Sequence, residues 1–590
     1  MSDDYDILIK NGTIVDGTGS PAYKGAVAIK DERIVAMGKV EGGLTKGAET
    51  VIDAEGKVVT PGFIDVHNHG DMTILYYPQA DGYLRQGITT FVGGNCGSSP
   101  APFEDEVSLG MGLYDLYYDL SPDMYYPTSL VDRDAFNEKH KEMFGWEVSW
   151  RTMGDFMKEV EGKGLSPNYV PILGHHPIRH VVMSHDSKRH ATPEEVEEMK
   201  VHVRQAMEDG CKGISVGRDY EPSYWAGFDE LVALASVVSE YGGVYTCHSL
   251  RTGLRKARRP GEFPPVKVEG LKEALNVGRE AKISVQISHL GTLHDVSPMG
   301  DKDLSVSAAK ATLKLVDDAI ADGVSVGFDL IPNVRGFGTS SNNWLVSSLL
   351  PWLKLTGSRE QLAKALRMKE FREEIKKTIW SGKYYGLNPN ISPTWAQGKR
   401  IMESKEEGFV DKTVAQVAEE TGVDPLDALM DVIMTDPDAK TGSMGRQSPT
   451  KYLFYQHPSS MIGVDTYAID TSYVTKNPAW SRPSENSFGG FAAYFRDVVR
   501  EGKILNVEEA VKKVTSTSAE KFGLKDRGVL KAGAYADIVV MDLETVAPRA
   551  TPLNPCLYPE GIEHVFVNGG QVVKDSEHTG ARPGKVLRRE

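Results

Sequence analysis

The stretch GFIDVHNHG, residues 62–70, decides the fold and the chemistry of this 590-residue chain. Its first residues are apolar and β-favouring, so they predict a buried strand that leads to His67 and His69. Residues at positions i and i+2 of a strand project from the same face, so the two imidazoles point to one spot. Such a pair is half of a zinc-type site, unless it only lies on an exposed polar turn. Further ligands at equivalent places would decide between these interpretations.

The composition is that of an ordinary globular protein, with 40% hydrophobic and 25% charged residues. A formal net charge of −15 disfavours nucleic acid and anionic membranes as partners, because both would repel the protein. The first ten residues lack the features of a signal peptide and no long apolar run occurs, so we expect a cytoplasmic protein without a membrane span. The four cysteines are too few for a disulfide framework, which leaves each of them available as a core residue or a ligand.

The two ends of the chain share a β-rich pattern that differs from the middle. Short alternating segments broken by turn residues predict antiparallel hairpins in residues 1–61, and the same pattern returns within residues 501–590. Residues 62–500 instead alternate short apolar strands with amphipathic helices, which is typical of βα units. We therefore predict one small β-sandwich domain, built from both termini, beside a parallel α/β domain.

The middle region contains eight strand-like runs. They are GFIDVHNH, ITTFVGGNC, YVPILGHH, KGISVGRD, GGVYTCHS, ISVQISH, VSVGFDLIP and SSMIGVD. Eight parallel strands predict a closed, TIM-like (β/α)8 barrel, whose functional groups lie at the carboxyl ends of the strands. Two long insertions, at about 100–161 and 333–458, interrupt the pattern. Loops of that length over a barrel mouth usually form lids or substrate walls.

Zinc-competent side chains follow five of these eight strands. Taken singly, a buried cysteine is more often a small core residue, a histidine can be a satisfied core residue and an aspartate can cap a helix. Taken together, all of them fall at the predicted mouth of one barrel, so we expect them to gather around a metal. The set consists of His67, His69, Cys96, His248, His289 and Asp465.

Several motifs of the chain are those of one known family. They are GFIDVHNHGD at 62–71, GITTFVGGNCGSSPAP at 87–102, GISVGRDYEPSYWA at 213–226, YTCHSLRTG at 245–253, QISHLG at 286–291 and MIGVDT at 461–466, with FGLKDRGVLKAGAYADIVVMD and TGARPGKVLRR near the end. On these motifs the chain resembles the amidohydrolase superfamily and, within it, the N-acyl-D-amino-acid deacylase (D-aminoacylase) family. The resemblance covers nearly the whole chain. It implies a TIM-like metallo-hydrolase barrel with a small β-sandwich domain from both termini, in agreement with the strand count.

The resemblance also implies a tightly bound zinc ion on Cys96, His248 and His289. Zinc with three protein ligands keeps a fourth place for water and lowers the pKa of that water towards ~7. Related enzymes bridge two metals with a carboxylated lysine on the fourth strand. Here Lys212 begins that strand, at the end away from the mouth, so we expect Cys96 to take the place of the lysine.

A second, weaker metal position is implied at His67, His69 and Asp465, and Asp465 also matches the catalytic aspartate of the family. Beside an activated water, this carboxylate can accept a proton and return it to the leaving nitrogen. Tyr220 matches a family tyrosine near the substrate and can donate a further hydrogen bond. The alternative for Tyr220 is a packed aromatic residue at the barrel rim.

The chain departs from the family pattern where the substrate carboxylate is recognised. Relatives typically have a basic residue two places after the sixth-strand histidine, where this chain has Gly291. The family arginine that lies two places after the fifth-strand histidine is shifted here, because Arg251 lies three places after His248. Guanidinium groups bind carboxylates bidentately, although most arginines have surface or structural roles. The candidates are Arg218, Arg251, Arg335 and Arg482.

These observations predict a zinc-dependent amidohydrolase that cleaves a non-peptide carbon–nitrogen bond, foremost the amide of an N-acyl (D-)amino acid or a related N-acyl compound. One alternative is a cyclic amide, such as a lactam or a hydantoin, opened at the same metal site. Another is a barrel that has lost catalysis and serves as a binding or assembly protein, against which the retained ligand set argues. The expected partner is a small-molecule amide, and the number of subunits stays open, with a homo-oligomer among the options.

Overall fold

The chain folds as a barrel of eight parallel strands beside a β domain built from both termini, which confirms the predicted fold class. The structure is a computed structural model. It describes residues 5–38, 48–108, 130–251, 266–294, 301–332, 340–341, 344–381, 384, 387, 389, 395–442, 450–472, 482–551 and 553–590. None of the helices in these ranges has the length and the apolar character that crossing a bilayer requires.

The barrel strands coincide with the eight predicted runs. In chain order they are Phe63–Asp65, Ile88–Gly93, Asn168–Pro171 continued as Leu173–Gly174, Gly213–Gly217, Val244–His248, Ser284–Ile287, Val326–Leu330 and Ser460–Ile462. Consecutive strands pair in parallel. The ring closes where the backbone N–H of Val66 donates to the carbonyl of Ile462 at 3.4 Å. Because helices cover the outside, these strands are almost wholly buried.

Helices connect the strands and cover the barrel. The helix Pro193–Asp209 shows why they form, because Thr192 and Glu195 make a capping box and Gly210, with φ of 110°, ends it. Its buried side chains form one stripe along the helix. The other helices of this layer are Asp81–Leu84, Met153–Lys163, His175–Met183, Phe228–Glu240, Val266–Glu280, Lys302–Ala321, Lys451–Gln456, Asn486–Tyr494, Val507–Val514 and Ser516–Lys521, with a π-helix at Phe495–Glu501 and 3-10 turns at Gly70–Met72, Ser184–Asp186 and Ser223–Trp225.

Both predicted insertions contain secondary structure of their own. In the first, the strands Glu106–Ser108 and Leu130–Asp132 pair antiparallel and the helix Arg133–Phe144 follows. The second has a hydrophobic core separate from that of the barrel. Its helices are Leu350–Thr356, Arg359–Ala365, Lys369–Trp380, Trp395–Gly398, Val414–Thr421 and Pro425–Thr435, with 3-10 turns at Leu345–Leu349 and Glu407–Phe409 and an antiparallel pair formed by Arg400–Glu403 and Lys440–Gly442; the short strands Ser340–Ser341 and Arg482–Pro483 also pair.

The β domain is one nine-stranded sheet. From one edge to the other its strands are Glu577–His578, Gly570–Lys574, Ile562–Val567, Ile538–Met541, Val58–Pro61, Ile7–Ile14, Tyr23–Lys30 and Arg33–Gly38, with Thr50–Asp53 also on Ile7–Ile14. The prediction of antiparallel hairpins throughout residues 1–61 was wrong in two places. Thr50–Asp53 and Val58–Pro61 both run parallel to Ile7–Ile14. In addition, Asn11, with φ of 64°, makes a bulge within one strand and not a turn between two.

The predicted boundary at residue 501 precedes two helices that pack on the barrel. Lys513 donates to the hydroxyl of Ser460 at 2.9 Å, and Lys521 donates to the carbonyl of Val285 at 2.6 Å. The C-terminal strands of the β domain begin only at Ile538–Met541. The last residues return to the barrel, where the N–H of Leu587 donates to a barrel-strand carbonyl at 2.7 Å.

One buried ion pair joins the β domain to the barrel. The guanidinium of Arg527 contacts the carboxylate of Asp537, and both residues are nearly inaccessible to solvent. Asp537 also accepts the backbone N–H of Asn568 at 2.8 Å, and the amide of Asn168, on the third barrel strand, lies 3.4 Å from it. Removing one member would therefore leave a buried charge between the two domains without its partner.

We predict that Arg527→Met lowers the free energy of unfolding by about 3–5 kcal/mol, the range for breaking a buried ion pair. The measurement is the urea midpoint of the purified protein. Arg33→Met is the matched control, because Arg33 stacks on the same ring of Tyr535 (3.6 Å, against 3.8 Å for Arg527) but its side chain is 39% exposed. Its loss should cost less than about 1 kcal/mol. Equal effects of the two substitutions would contradict the prediction.

Candidate metal centre

Three of the six predicted ligands have backbone conformations that side chains rarely adopt. The φ angles of Cys96, His289 and Asp465 are 53°, 37° and 51°. Each such residue costs of order 1–3 kcal/mol and persists only where the surroundings determine it, which is most common at functional sites. The second, sixth and eighth barrel strands each end two or three residues before one of these residues.

Hydrogen bonds from neighbouring strands hold these loops in place. The N–H of Gly97, next to Cys96, donates to the hydroxyl of Ser215 at 2.7 Å, and its carbonyl accepts the N–H of His176 at 2.8 Å. The N–H of Asp465 donates to the carbonyl of His67 at 2.9 Å. These bonds link the second strand to the third and fourth, and the eighth to the first.

The thiol of Cys96 lies at the centre of the cluster. Its sulfur is 3.3 Å from Nε2 of His67, 3.5 Å from Nδ1 of His248 and 3.8 Å from Nε2 of His289. One carboxylate oxygen of Asp465 is 3.1 Å from Nε2 of His69 and 3.4 Å from Nε2 of His67. The donor atoms form two groups, within each of which all lie no more than 4.8 Å apart. The groups are His67, His69, Cys96 and Asp465, and Cys96, His248 and His289.

The outer nitrogens of the histidine rings have different neighbours. Asp329 places a carboxylate oxygen 3.1 Å from Nδ1 of His67, and Asp219 places one 3.3 Å from Nε2 of His248. Nδ1 of His69 is buried and has no hydrogen-bond partner among the described residues. The inner nitrogens of these rings therefore face the cluster, as metal ligands require.

The electrostatics of the cluster favour the deprotonated forms of Cys96, Asp465 and His289. Burial acts to raise the pKa of the Cys96 thiol, but His67 and His248 outweigh it and hold this pKa well below its ordinary value. Burial likewise acts to raise the pKa of Asp465, but His67 lowers it well below the usual range. Burial, together with the charge of Arg251, lowers the pKa of His289 to about 4. A thiolate, neutral imidazole and carboxylate make a donor set that fits zinc.

The pKa of His67 is shifted in the opposite direction, towards the protonated form. Burial disfavours its charged form, yet the neighbouring carboxylate of Asp329 and thiolate of Cys96 raise its pKa well above the ordinary value. The pKa of His69 is raised to about 9 against the same effect of burial, by Asp465 and Cys96. Both shifts have one cause, which is a concentration of negative charge that a divalent cation would also balance.

The predicted substrate residues lie in different surroundings. The ring of Tyr220 is 4.7 Å from that of His248 and edge-on to it. The guanidinium of Arg251 contacts Nδ1 of His289 and donates to the carbonyls of Ser288 and His289, both at 3.1 Å. Tyr220 and Arg251 are therefore both next to proposed ligands.

Arg218 is buried and paired with another side chain of the protein. It is 6% exposed, and its guanidinium donates twice to the carboxylate of Glu273, at 2.7 and 3.1 Å. A guanidinium so engaged has little capacity left for a substrate carboxylate. Arg335 and the side chain of Arg482 lie outside the described residues.

Two carboxylates at this site were not singled out from the sequence. Asp329 interrupts the apolar seventh-strand run VSVGFDLIP, and Asp219 ends the fourth-strand run KGISVGRD. A charged residue within or directly after a buried strand needs a partner, and that was the available signal. What the pattern lacked was the identity of the partner, because His67 and Asp329 are far apart in the chain.

The sequence and the fold are similar to those of known amidohydrolases. The Amidohydrolase family model matches residues 50–117 and 396–573. The D-aminoacylase of Alcaligenes xylosoxydans xylosoxydans is 28% identical, with 100% of this chain and 98% of that protein covered. The crystal structure of N-acyl-D-glutamate deacylase from Bordetella bronchiseptica, complexed with zinc and a phosphonate mimic of the tetrahedral intermediate, has a TM-score of 0.67 and 26% identity, with 99% of this chain and 100% of that chain covered.

Two further solved structures bear on the metal centre and on the fold. One is a D-aminoacylase with a TM-score of 0.67 and 26% identity, with 99% of this chain and 100% of that chain covered. The binuclear metal centre of that enzyme is described by one-metal activation and second-metal attenuation. L-hydantoinase from Arthrobacter aurescens, at a TM-score of 0.52 and 14% identity with the same coverage, shares the fold alone. Together these matches confirm the predicted resemblance, and the zinc in the Bordetella structure supports zinc as the metal.

We predict that Gly97→Ala destabilises the protein and displaces the loop that carries Cys96. Gly97 has a φ of 83°, and a Cβ there would lie 2.6 Å from Nε2 of His176 and 2.7 Å from the backbone of Gly217. The free energy of unfolding should fall by at least about 2 kcal/mol, as for other substitutions at strained positions.

The control is Gly242→Ala, where φ is 67° but nothing lies within 4 Å of the added Cβ. That change should cost only about 1 kcal/mol, from the left-handed backbone alone. Urea unfolding measures both variants. Similar losses for the two would show that the close packing around Gly97 contributes nothing.

Proposed function

We propose that this metal-dependent amidohydrolase removes the acyl group from N-acyl amino acids, with the D configuration preferred at the amino acid. The observation that carries the proposal is the convergence of the Cys96 thiol, four imidazoles and the Asp465 carboxylate at the mouth of one barrel. Similarity over the full length to enzymes named for N-acyl-D-amino acids supports the substrate class.

The proposed tight zinc site consists of Cys96, His248 and His289. One sulfur and two nitrogen donors leave a fourth coordination place for water, which is the pattern of catalytic zinc. A second, weaker position would use His67, His69 and Asp465, beside the same sulfur. One occupied site is sufficient in this proposal, in line with the one-metal activation described for a related D-aminoacylase.

Asp465 is the proposed general base and acid. Bound zinc supplies the Lewis acidity that activates a water molecule and polarises the substrate carbonyl. Asp465 accepts the proton of that water and passes it to the leaving amine nitrogen. The imidazoles of His69 and His67, at 3.1 and 3.4 Å, orient its carboxylate. Its side chain remains 12% exposed while that of His67 is 0% exposed, which gives a substrate access to the base.

Substrate recognition is proposed for Tyr220 and Arg251. The Tyr220 ring packs against that of His248, and from there its hydroxyl can donate to the substrate carbonyl. Arg251 is the proposed partner of the α-carboxylate, because its guanidinium lies beside His289 at the rim of the site. Arg218 is the weaker candidate of the two, because Glu273 occupies its guanidinium.

The proposed function predicts that the zinc-loaded protein hydrolyses N-acyl-D-amino acids faster than their L forms, and that Asp465→Ala loses this activity. We expect kcat to fall by about 10²–10⁴-fold, the usual contribution of a general acid–base group, while zinc on the tight site is retained. Activity assays on a panel of acyl substrates, with zinc analysis of the same samples, provide the measurement.

Asp470→Ala is the control, because Asp470 lies in the same loop but its carboxylate accepts only from the nearby Ser472 in the described contacts. Near wild-type activity is expected. If the wild type hydrolyses only cyclic amides, the substrate class is wrong but the chemistry stands. Inactivity of the zinc-loaded wild type on linear and cyclic amides alike would contradict the enzymatic role and favour a binding protein.

Removal of the sulfur ligand should release the tight zinc. We predict that Cys96→Ser, after dialysis against a chelator and readdition of equimolar zinc, retains at least tenfold less metal than the wild type, because thiolate is a much stronger zinc ligand than hydroxyl. Elemental analysis measures the content. Cys211→Ser is the matched control: Cys211 is equally buried but precedes the fourth strand, at the opposite end of the barrel. Full zinc in Cys96→Ser would overturn the ligand assignment.

A further inference from the structure

Asp329 is a buried carboxylate on the seventh strand that the proposed reaction does not use. Its exposed fraction is 0%. One oxygen lies 3.1 Å from Nδ1 of His67 and also accepts the backbone N–H of His289 at 2.7 Å. The other oxygen accepts from the side-chain amide of Gln286 at 3.3 Å. A single carboxylate therefore contacts one residue from each of the two groups of candidate ligands.

We propose that Asp329 is a positioning residue that fixes the two groups of candidate ligands relative to each other. It orients the ring of His67 and fixes the backbone of His289. The inference rests on the proposed function, because it assumes that these two histidines bind metal. It extends that function by assigning a structural cause to the geometry of the centre.

The effect on His67 is electrostatic. The carboxylate of Asp329 and Nδ1 of His67 are at ion-pair distance, in an arrangement without the alignment of a good hydrogen bond. The negative charge favours a proton on Nδ1, which leaves the lone pair of Nε2 for a metal. Nε2 is the nitrogen that faces Cys96, at 3.3 Å, and Asp465, at 3.4 Å.

The effect on His289 is conformational. The backbone of His289 is left-handed, with φ of 37°, and this conformation turns its ring towards Cys96. The charge-assisted hydrogen bond from its N–H to Asp329 is the shortest contact that Asp329 makes in the described set. If this bond were lost, the described contacts would give the His289 N–H no other partner. The strain of its left-handed backbone would then not be compensated.

Asp219 provides an internal comparison, because in the described contacts its carboxylate meets a ligand of one group. Its carboxylate lies 3.3 Å from Nε2 of His248 and accepts the N–H of Arg251 at 2.8 Å. Removal of its charge should weaken the tight site alone. Removal of the charge of Asp329 should weaken both sites, which is the distinguishing consequence of the proposal.

The experiment is Asp329→Asn in the full chain, which keeps the size of the side chain and removes its charge. We expect zinc affinity to fall 10–100-fold at both positions, the range known for residues that support metal ligands. Competition with a graded chelator series measures affinity and stoichiometry. The visible spectrum of the cobalt-substituted protein gives a second readout, because it reports ligand geometry independently of activity.

Glu230→Gln is the matched control. Glu230 is also a buried carboxylate of the barrel region, but it pairs with His175 at 2.9 Å and with Arg179, neither of which is a candidate ligand. It should lower stability without changing zinc affinity or the cobalt spectrum. If Asp329→Asn does not fold, Gln286→Met replaces it, because loss of the Gln286 donor to Asp329 should still weaken zinc several-fold at both positions.

Wild-type zinc affinity and an unchanged cobalt spectrum in Asp329→Asn would overturn the inference, and so would a loss confined to one position. For Gln286→Met, wild-type affinity would do the same. Each of these results leaves the proposed function intact. Failure of the ligand assignment is recognised separately, by Cys96→Ser retaining its full zinc content, and failure of the function by a zinc-loaded wild type that is inactive on every amide tested.

Discussion

The seam between the first and eighth strands is the constraint on which the candidate centre depends. Asp465 reaches His67 and His69 only because the barrel closes there, with the N–H of Asp465 bonded to the carbonyl of His67 at 2.9 Å. The approach is so close that a Cβ on Gly463 would lie 2.3 Å from that of His67. Asp65 reinforces the seam, because its carboxylate accepts the N–H groups of His67 and Val464 at 3.2 and 3.1 Å. Burial raises the pKa of Asp65 to about 7, in opposition to these bonds.

Much of this arrangement could be predicted from the sequence, because the information is local. Two-residue spacing predicted that His67 and His69 point to one spot, and they do, although the strand itself ends two residues before His67. The capping box of the helix Pro193–Asp209 could be read from its own residues. The same reasoning placed Lys212 at the far end of the fourth strand, where its ammonium donates to the carbonyl of Gly523 at 3.2 Å. The location of the site at the strand ends then followed from the rule that functional groups of such a barrel lie at its carboxyl edge.

The rest could not be predicted, because it depends on which distant residues meet. The parallel pairing of Thr50–Asp53 with Ile7–Ile14 is a choice of topology that alternating residues do not encode. The pairing of Arg218 with Glu273, and the contact of Asp329 with His67, join residues that no spacing rule connects. An arginine in a motif looks the same whether its partner is a substrate or a glutamate. Only the burial and the distances separate the two roles.

The charge distribution of the cluster gives the strongest physical reason for a metal. A thiolate and three carboxylates, from Cys96, Asp465, Asp329 and Asp219, lie beside the four candidate histidines, and the guanidinium of Arg251 contacts one of these rings. Buried negative charge of this density must be balanced. In the protein alone, the raised pKa values of His67 and His69 show that protons on these rings would supply the balance. A divalent cation supplies two positive charges at the point where the sulfur, the imidazole nitrogens and the carboxylate converge, and it leaves the rings neutral for ligation. The same excess of negative charge that is costly to bury is therefore the physical argument for the proposed zinc site.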